Sequence, residues 1–142
     1  MKTVFEDKEV IKNWVEERIP GMSFNDGSYA AIGVENEQGE RVAGVIYNHY
    51  TGHDISMHVA STHGTLWARP HILRDLFAFP FNQLKCRRVT GFVSALNEHT
   101  LPFDEHLGFR REGILRDATP DGDMHIIGMT RQECRWLEKD NG

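Results

Sequence analysis

The chain has 142 residues, a length that suits one domain burying roughly two thirds of its unfolded surface. Sixteen lysines and arginines stand against twenty-one aspartates and glutamates, for a formal net charge of −5 and a pI near 5.9. That balance excludes nucleic acid as the main partner, because backbone binding needs a concentrated positive field, but leaves room for a local basic patch that meets a smaller anion.

The N-terminal MKTVFEDKEVIKNW is charged throughout and unlike a signal peptide, and no apolar run reaches the length of a membrane span. A cytoplasmic protein with no membrane partner is expected. Cys86 and Cys134 lie far apart, match no zinc or redox spacing, and read as free thiols of a reducing compartment.

Residues 7–18, DKEVIKNWVEER, put Val10, Ile11, Trp14 and Val15 on one face at helical spacing. Asp7 is the expected N-cap and Ile-Pro-Gly at 19–21 the stop. SYAAIGVE (28–35) and RVAGVIYNHY (41–50) predict two strands joined by the polar turn NEQGE. HDISMHVAS (53–61) extends the meander, with Ile55, Met57 and Val59 on one face and Asp54, Ser56 and His58 on the other.

PHILRDLFAF (70–79) predicts a helix opened by Pro70, whose missing N–H is not needed in a first turn, and closed by Pro80. Ile72, Leu73, Leu76, Phe77 and Phe79 face the core. CRRVTGFVSA (86–95) has the near-continuous apolar middle of a central strand covered on both faces. A short helix then runs to Leu107, with Gly108 as its left-handed cap. RREGILRDA and MHIIGMTR predict a last strand pair around the turn TPDGD, and QECRWLE a terminal helical turn. The helix between the third and fourth of these strands implies a right-handed crossover and locally parallel pairing. A single α/β (α+β) domain over 1–142 is expected, with a mixed, mostly antiparallel sheet and helices on both faces.

That order, with Asn97, Gly108, Phe109, Glu112 and Gly113 followed by ILRDA, resembles the GNAT superfamily of acetyl-CoA-dependent N-acetyltransferases. The upstream FAFPFNQLKCRRVTGFVSALN is most similar to the branch that includes ribosomal-protein N-terminal acetyltransferases, and the likeness covers roughly residues 41–137. The resemblance implies that two central strands, here 53–61 and 86–95, splay apart, and that the pantetheine arm of acetyl-CoA enters the gap as a short extra strand would. It implies that the pyrophosphate sits on the loop THGTLWARP, at the N-terminus of the next helix. Cofactor contacts would come from Val59, Ala60, Gly64, Thr65, Leu66, Trp67, Ala68, Arg69, Asn97, Thr100 and Phe103. Phe109 would plug the core beneath the splay, and the polar RREG strand would lie at a sheet edge.

Two positions depart from the family pattern. Its loop glycines, counted back from Phe81, fall on Thr65 and Trp67, with Gly64 one place earlier. Arg69 would compensate with charge-assisted hydrogen bonds, the alternative being a solvated loop arginine. The family's Tyr seven residues after the Asn, which protonates the leaving thiolate, is Asp104, a poor acid at neutral pH unless its pKa is strongly raised. Transfer with a water as proton donor is compatible with that replacement.

Amide formation from a thioester needs a neutral amine, a polarised carbonyl and a place for the thiolate. A backbone N–H near Val59 or Ala60 would polarise the carbonyl. Asp54, His58 and Glu98 are the bases on offer, each also readable as a solvated or hydrogen-bonded surface group; the pKa class of His58 favours it. Asn97 would orient the acceptor or bond the pantetheine amide, or else cap the helix that follows. His49, His53, His58 and His63 crowd into fifteen residues, but the five-residue step from His53 to His58 puts those two on opposite strand faces. No Cys or paired carboxylate joins them, so no metal is expected. Lys85, Arg87 and Arg88 read as a solvated strand entrance or as partners of the adenosine 3′-phosphate.

The expected function is transfer of an acetyl group from acetyl-CoA, as co-substrate, to a primary amine by direct attack in a ternary complex. The acceptor is a protein N-terminus, an amino acid or a small amine, and a homodimer is compatible with this reading. The other readings are a GNAT-like binding or structural protein that has lost catalysis, and a metal-dependent hydrolase built on the histidines.

Overall fold

The structure, a computed structural model, describes residues 1–19, 22–24, 27–62 and 64–137. The first helix, α1 (Lys8–Glu16), forms where the apolar spacing places it, and Ile11 and Val15 are fully buried. Asp7 precedes it in the left-handed region at φ 56° and makes no side-chain cap bond, so it is an N-cap by position only. Residues 20 and 21 of the predicted stop lie outside the described residues.

Three strands follow as an antiparallel meander: β2 (Tyr29–Glu35), β3 (Arg41–Asn48) and β4 (Ser56–Ser61). A first strand, β1 (Lys2–Val4), pairs with β2 and was not expected. Three residues carry too little alternation for a sequence pattern to show. With β5 (Arg88–Ser94), β6 (Arg110–Thr119) and β7 (Gly122–Thr130), the sheet has seven strands in the order β1-β2-β3-β4-β5-β7-β6. The pairing of β4 with β5 is parallel, as the crossover requires, and the others are antiparallel. β6 is an edge strand, exposed along nearly its whole length, which is where its charged residues belong.

The α-helical part of the crossover, α2 (Pro70–Ala78), stops short of Pro80 as expected, but the chain does not leave the helical path there. The chain continues as a π-turn over Phe79–Gln83, closed by the Leu84 N–H on the Phe79 carbonyl at 3.1 Å. Pro80 lacks the N–H that would reach back four residues to the Leu76 carbonyl. The Tyr47 hydroxyl donates to that carbonyl instead, at 2.6 Å in full burial, and so ties β3 to the point where the helix changes pitch.

After β5 a 3₁₀ turn (Ala95–Thr100) leads into α3 (Leu101–Leu107), which ends on Gly108 at φ 121°. A Cβ there would meet the Glu133 carbonyl at 3.2 Å, so glycine answers both the torsion and the close approach. The terminal helical turn is a 3₁₀ turn at Arg131–Glu133, starting one residue before the expected stretch; Glu138, the last residue of that stretch, lies outside the described residues.

Two cores flank the sheet. On one face Ile32, Val45 and Tyr47 pack with Ile72, Leu73, Leu76 and Phe77 of α2, and Phe109 joins them with its ring 6.1 Å from that of Phe77. On the other, Ile11 and Val15 of α1 pack with Phe24, Ala31, Ile46 and Ala60. α1 lies so close to β3 that a Cβ on Gly44 would stand 2.8 Å from a Val15 methyl. No helix among the described residues is long and apolar enough to cross a membrane.

Candidate active site

β4 and β5 are bridged at one place, Ser56 opposite Thr90, where the Thr90 N–H donates to the Ile55 carbonyl at 2.9 Å. Beyond it the strands part, as the sequence resemblance implies. Backbone groups alternate along a strand, so if Ile55 and Met57 face β5, Val59 does too. The Val59 N–H therefore opens into the gap, and that of Ala60 turns toward β3. Val59 is 43 % exposed, and Phe92 on β5 38 %.

His58 lies on the α1 face beside this gap. It is buried, its ring 5.0 Å from that of Phe24 and 6.3 Å from that of Phe92. Its Nε2 bonds Asn48 Oδ1 at 2.8 Å; an amide oxygen only accepts, so Nε2 carries the hydrogen and Nδ1 the lone pair. Burial first, and the charge of His49 second, lower its pKa to about 4. The ring is thus neutral at pH 7 and a weaker base than an ordinary histidine. Sequence reasoning missed Asn48, Phe24 and Phe92, since each meets His58 across strands or from a distant loop.

The other two expected bases are engaged. Both oxygens of Asp54 lie 2.9 Å from the Thr90 hydroxyl, and the Arg88 guanidinium stands 3.6 Å away. Arg88 also pairs with Glu112 at 2.7 Å, and the Glu112 hydrogen bond is the main cause that raises its pKa further. Arg88 is therefore held at the closed end of the β4–β5 pair and not free for a phosphate. Glu98 faces His125 at 3.2 Å.

The loop before α2 holds the expected phosphate residues. Gly64 takes φ +60°, and the Ala68 and Arg69 N–H groups donate to the Thr65 and Trp67 carbonyls. Trp67 is buried in the core with its ring 6.1 Å from that of Phe103, so its bulk is turned away from the loop's outer surface. The Arg69 side chain is exposed, makes no hydrogen bond or ion pair among the described residues, and precedes a helix that has no side-chain cap. A shallow cavity of about 530 Å³ beside it is lined by Arg69, Pro70 and His71 with Met1 and the Asn36–Gln38 turn. It borders the start of α2 and not the β4–β5 gap, so the gap is the better place for bond making.

Asn97 lies in the 3₁₀ turn at φ −111°, exposed, and its side chain makes no hydrogen bond among the described residues. The residue that precedes α3 is Thr100, so Asn97 is not that helix's cap. The Thr100 hydroxyl lies 2.9 Å from the Asn97 carbonyl and 3.4 Å from an Asp104 oxygen. Asp104 is half-buried, and desolvation raises its pKa to about 6.

Of the crowded histidines, His49 and His53 are exposed and His58 buried; His63 lies outside the described residues. Among the described residues no group of three or more His, Cys, Asp or Glu side chains could hold a metal ion.

No protein-family model matches the chain, and no curated protein matches it in sequence. Solved structures match in shape. The spermidine/spermine N-acetyltransferase SpeG of Vibrio cholerae, solved in complex with manganese ions, aligns over 93 % of each chain with a TM-score of 0.74 and 14 % identity. A point mutant of the same enzyme aligns over 97 % of this chain and 98 % of its own, with a TM-score of 0.76 and 14 % identity. A chimera of SpeG with hSSAT gives a TM-score of 0.75 at 12 % identity, over 93 % and 96 %. At such identity the likeness establishes the fold, which is GNAT-like.

Proposed function

We propose that the chain is an N-acetyltransferase that moves an acetyl group from acetyl-CoA to a primary amine. The observation that carries this reading is the parting of β4 and β5 beyond Ser56–Thr90, with the Val59 N–H opening into the gap. A preorganised donor aimed at a carbonyl that gains negative charge is worth most where the protein supplies it without rearrangement. The solved neighbours are polyamine acetyltransferases, which supports an amine as acceptor.

The amine nitrogen bonds to the thioester carbonyl carbon as the carbon–sulfur bond breaks, and a proton passes from the amine while the thiolate gains one. Val59 N–H stabilises the oxyanion. Nδ1 of His58, or a water bound to it, accepts the amine proton; its low basicity suits a late transfer from an amine already bonded to carbon. Asp104 takes the place of the family's Tyr, and a pKa of about 6 leaves it a protonated fraction that a carboxyl in water would lack at that pH. We assign the pyrophosphate to the start of α2, which has no side-chain cap and follows Arg69, with Gly64, Thr65, Leu66, Trp67 and Ala68 giving backbone. Ala60, Asn97, Thr100 and Phe103 are assigned to the pantetheine end.

The reading that catalysis has been lost draws on the missing loop glycines and on Asp104 in place of the Tyr. The burial of Trp67 weakens the first ground, since at one of the two glycine positions the side chain is turned into the core; Thr65, at the other, is exposed. The test is calorimetric binding of acetyl-CoA followed by release of free CoA thiol across an amine panel. Binding with amine-dependent release is expected; binding without release would favour the inactive protein.

A further inference from the structure

The sheet face that carries His58 continues over β5, β7 and β6 as an apolar strip. Phe92, beside His58, lies opposite Ile126 on β7; Met124, two residues away, lies opposite Leu115 on β6. Cross-strand partners share a face, as do alternate residues of one strand, so these four side chains form one surface. Phe92 and Leu115 are 38 % and 46 % exposed, and Ile126 and Met124 are half-buried. Three strands at the usual spacing make the strip about 10 Å wide. It begins at the open gap and leads away from it.

Among the described residues, one charged cluster is fixed on the same face. The Arg88–Glu112 pair lies over Gly128, cross-strand from Thr90 and two residues from Ile126, and Asp54 completes it. Two carboxylates and one guanidinium leave a single net negative charge there. Among the described residues of the α1 side, Glu16 is engaged, accepting the Phe24 N–H at 2.8 Å. One ammonium is served by this arrangement. A second, laid on Ile126 and Leu115, would lose its water and gain no partner from those two side chains.

We infer that the acceptor is a small primary monoamine with an aryl or alkyl tail, its amine beside His58 and its tail on the strip formed by Phe92, Ile126, Met124 and Leu115. The inference rests on the acetyl-transfer reading, and it separates this chain from the spermidine-directed enzymes whose fold it has. The strip's position supports the assignment: an apolar surface continuous with the point of attack selects the part of the substrate that does not react.

The test measures kcat/KM at saturating acetyl-CoA for phenethylamine, for spermidine and for a short peptide with a free N-terminus. Phenethylamine should exceed both by about tenfold or more, the range a few apolar contacts supply. Leu115→Asp changes an exposed residue, so the fold should stand. It should lower kcat/KM for phenethylamine about tenfold, leave the KM for acetyl-CoA unchanged and narrow the gap to spermidine. Spermidine or the peptide as the better acceptor, or a Leu115→Asp enzyme with the wild-type ratio, overturns the inference while acetyl transfer stands. Acetyl-CoA binding with no turnover of any of the three overturns both.

Discussion

The roles proposed for Asn97 and His58, positioning and proton transfer, have separate signatures. The Asn97 carboxamide is exposed and caps nothing, so Asn97→Ala should leave the melting temperature near the wild-type value. If that amide orients donor or acceptor, kcat should fall about ten- to a hundredfold, roughly the 1.4–2.7 kcal/mol of one well-placed hydrogen bond. Both are measured on one preparation, and a lower melting temperature with unchanged kcat would remove Asn97 from the site. His58 makes a pH prediction whose sign is fixed. Its folded pKa of about 4 lies below the 6.5 of a histidine in water, so the unfolded chain takes up a proton that the folded one refuses. Stability should therefore fall as pH drops through that window, by at most roughly 3 kcal/mol. His58→Gln should lose less between pH 7 and 4.5 in urea titrations; parallel losses would show that burial does not hold the ring neutral.

Between elements, the link from β3 to α2 depends on two residues that look unrelated in sequence. Pro80 withholds a backbone donor and Tyr47 supplies a hydroxyl to the same carbonyl of Leu76. Tyr47→Phe should cost about 1–3 kcal/mol, because it strands a buried acceptor. In a Pro80→Ala background, where the helix can recover its own donor, the same change should cost less. A double-mutant cycle measures that coupling, and strict additivity would mean that the two do not share the carbonyl. The pair also shows what the sequence made legible. The apolar spacing of α1, α2 and the meander was plain, because burial of one face writes itself into local periodicity. The π-turn was not, because Pro80 is a stop signal until a partner far along the chain satisfies what it frees. The same limit hid Asn48 and Phe92 from a reading that had found His58. The parting of β4 and β5 came from resemblance alone, since an absence of pairing leaves no pattern of its own.

At the scale of the whole molecule, the sheet is two antiparallel blocks, β1 to β4 and β5 to β6, joined at Ser56–Thr90 and by the bonds Asp54 makes to Thr90. A ligand that enters the gap acts on the junction of the blocks, so its binding should register in global stability. At a hundred times its Kd, acetyl-CoA should stabilise the native state by about 2.7 kcal/mol through mass action. Where on the ligand this energy arises can be read by dividing it. Arg69 stands exposed before an uncapped helix, the place for a phosphate, whereas the pantetheine arm is assigned to the backbone of β4 and β5. Arg69→Ala should therefore weaken acetyl-CoA several-fold and leave an acetylated pantetheine fragment, which has no pyrophosphate, nearly unaffected. Calorimetry with both ligands on both proteins gives the answer. Equal losses for the two would show that Arg69 does not read phosphate, and the charge would then have to be met by the helix N-terminus alone.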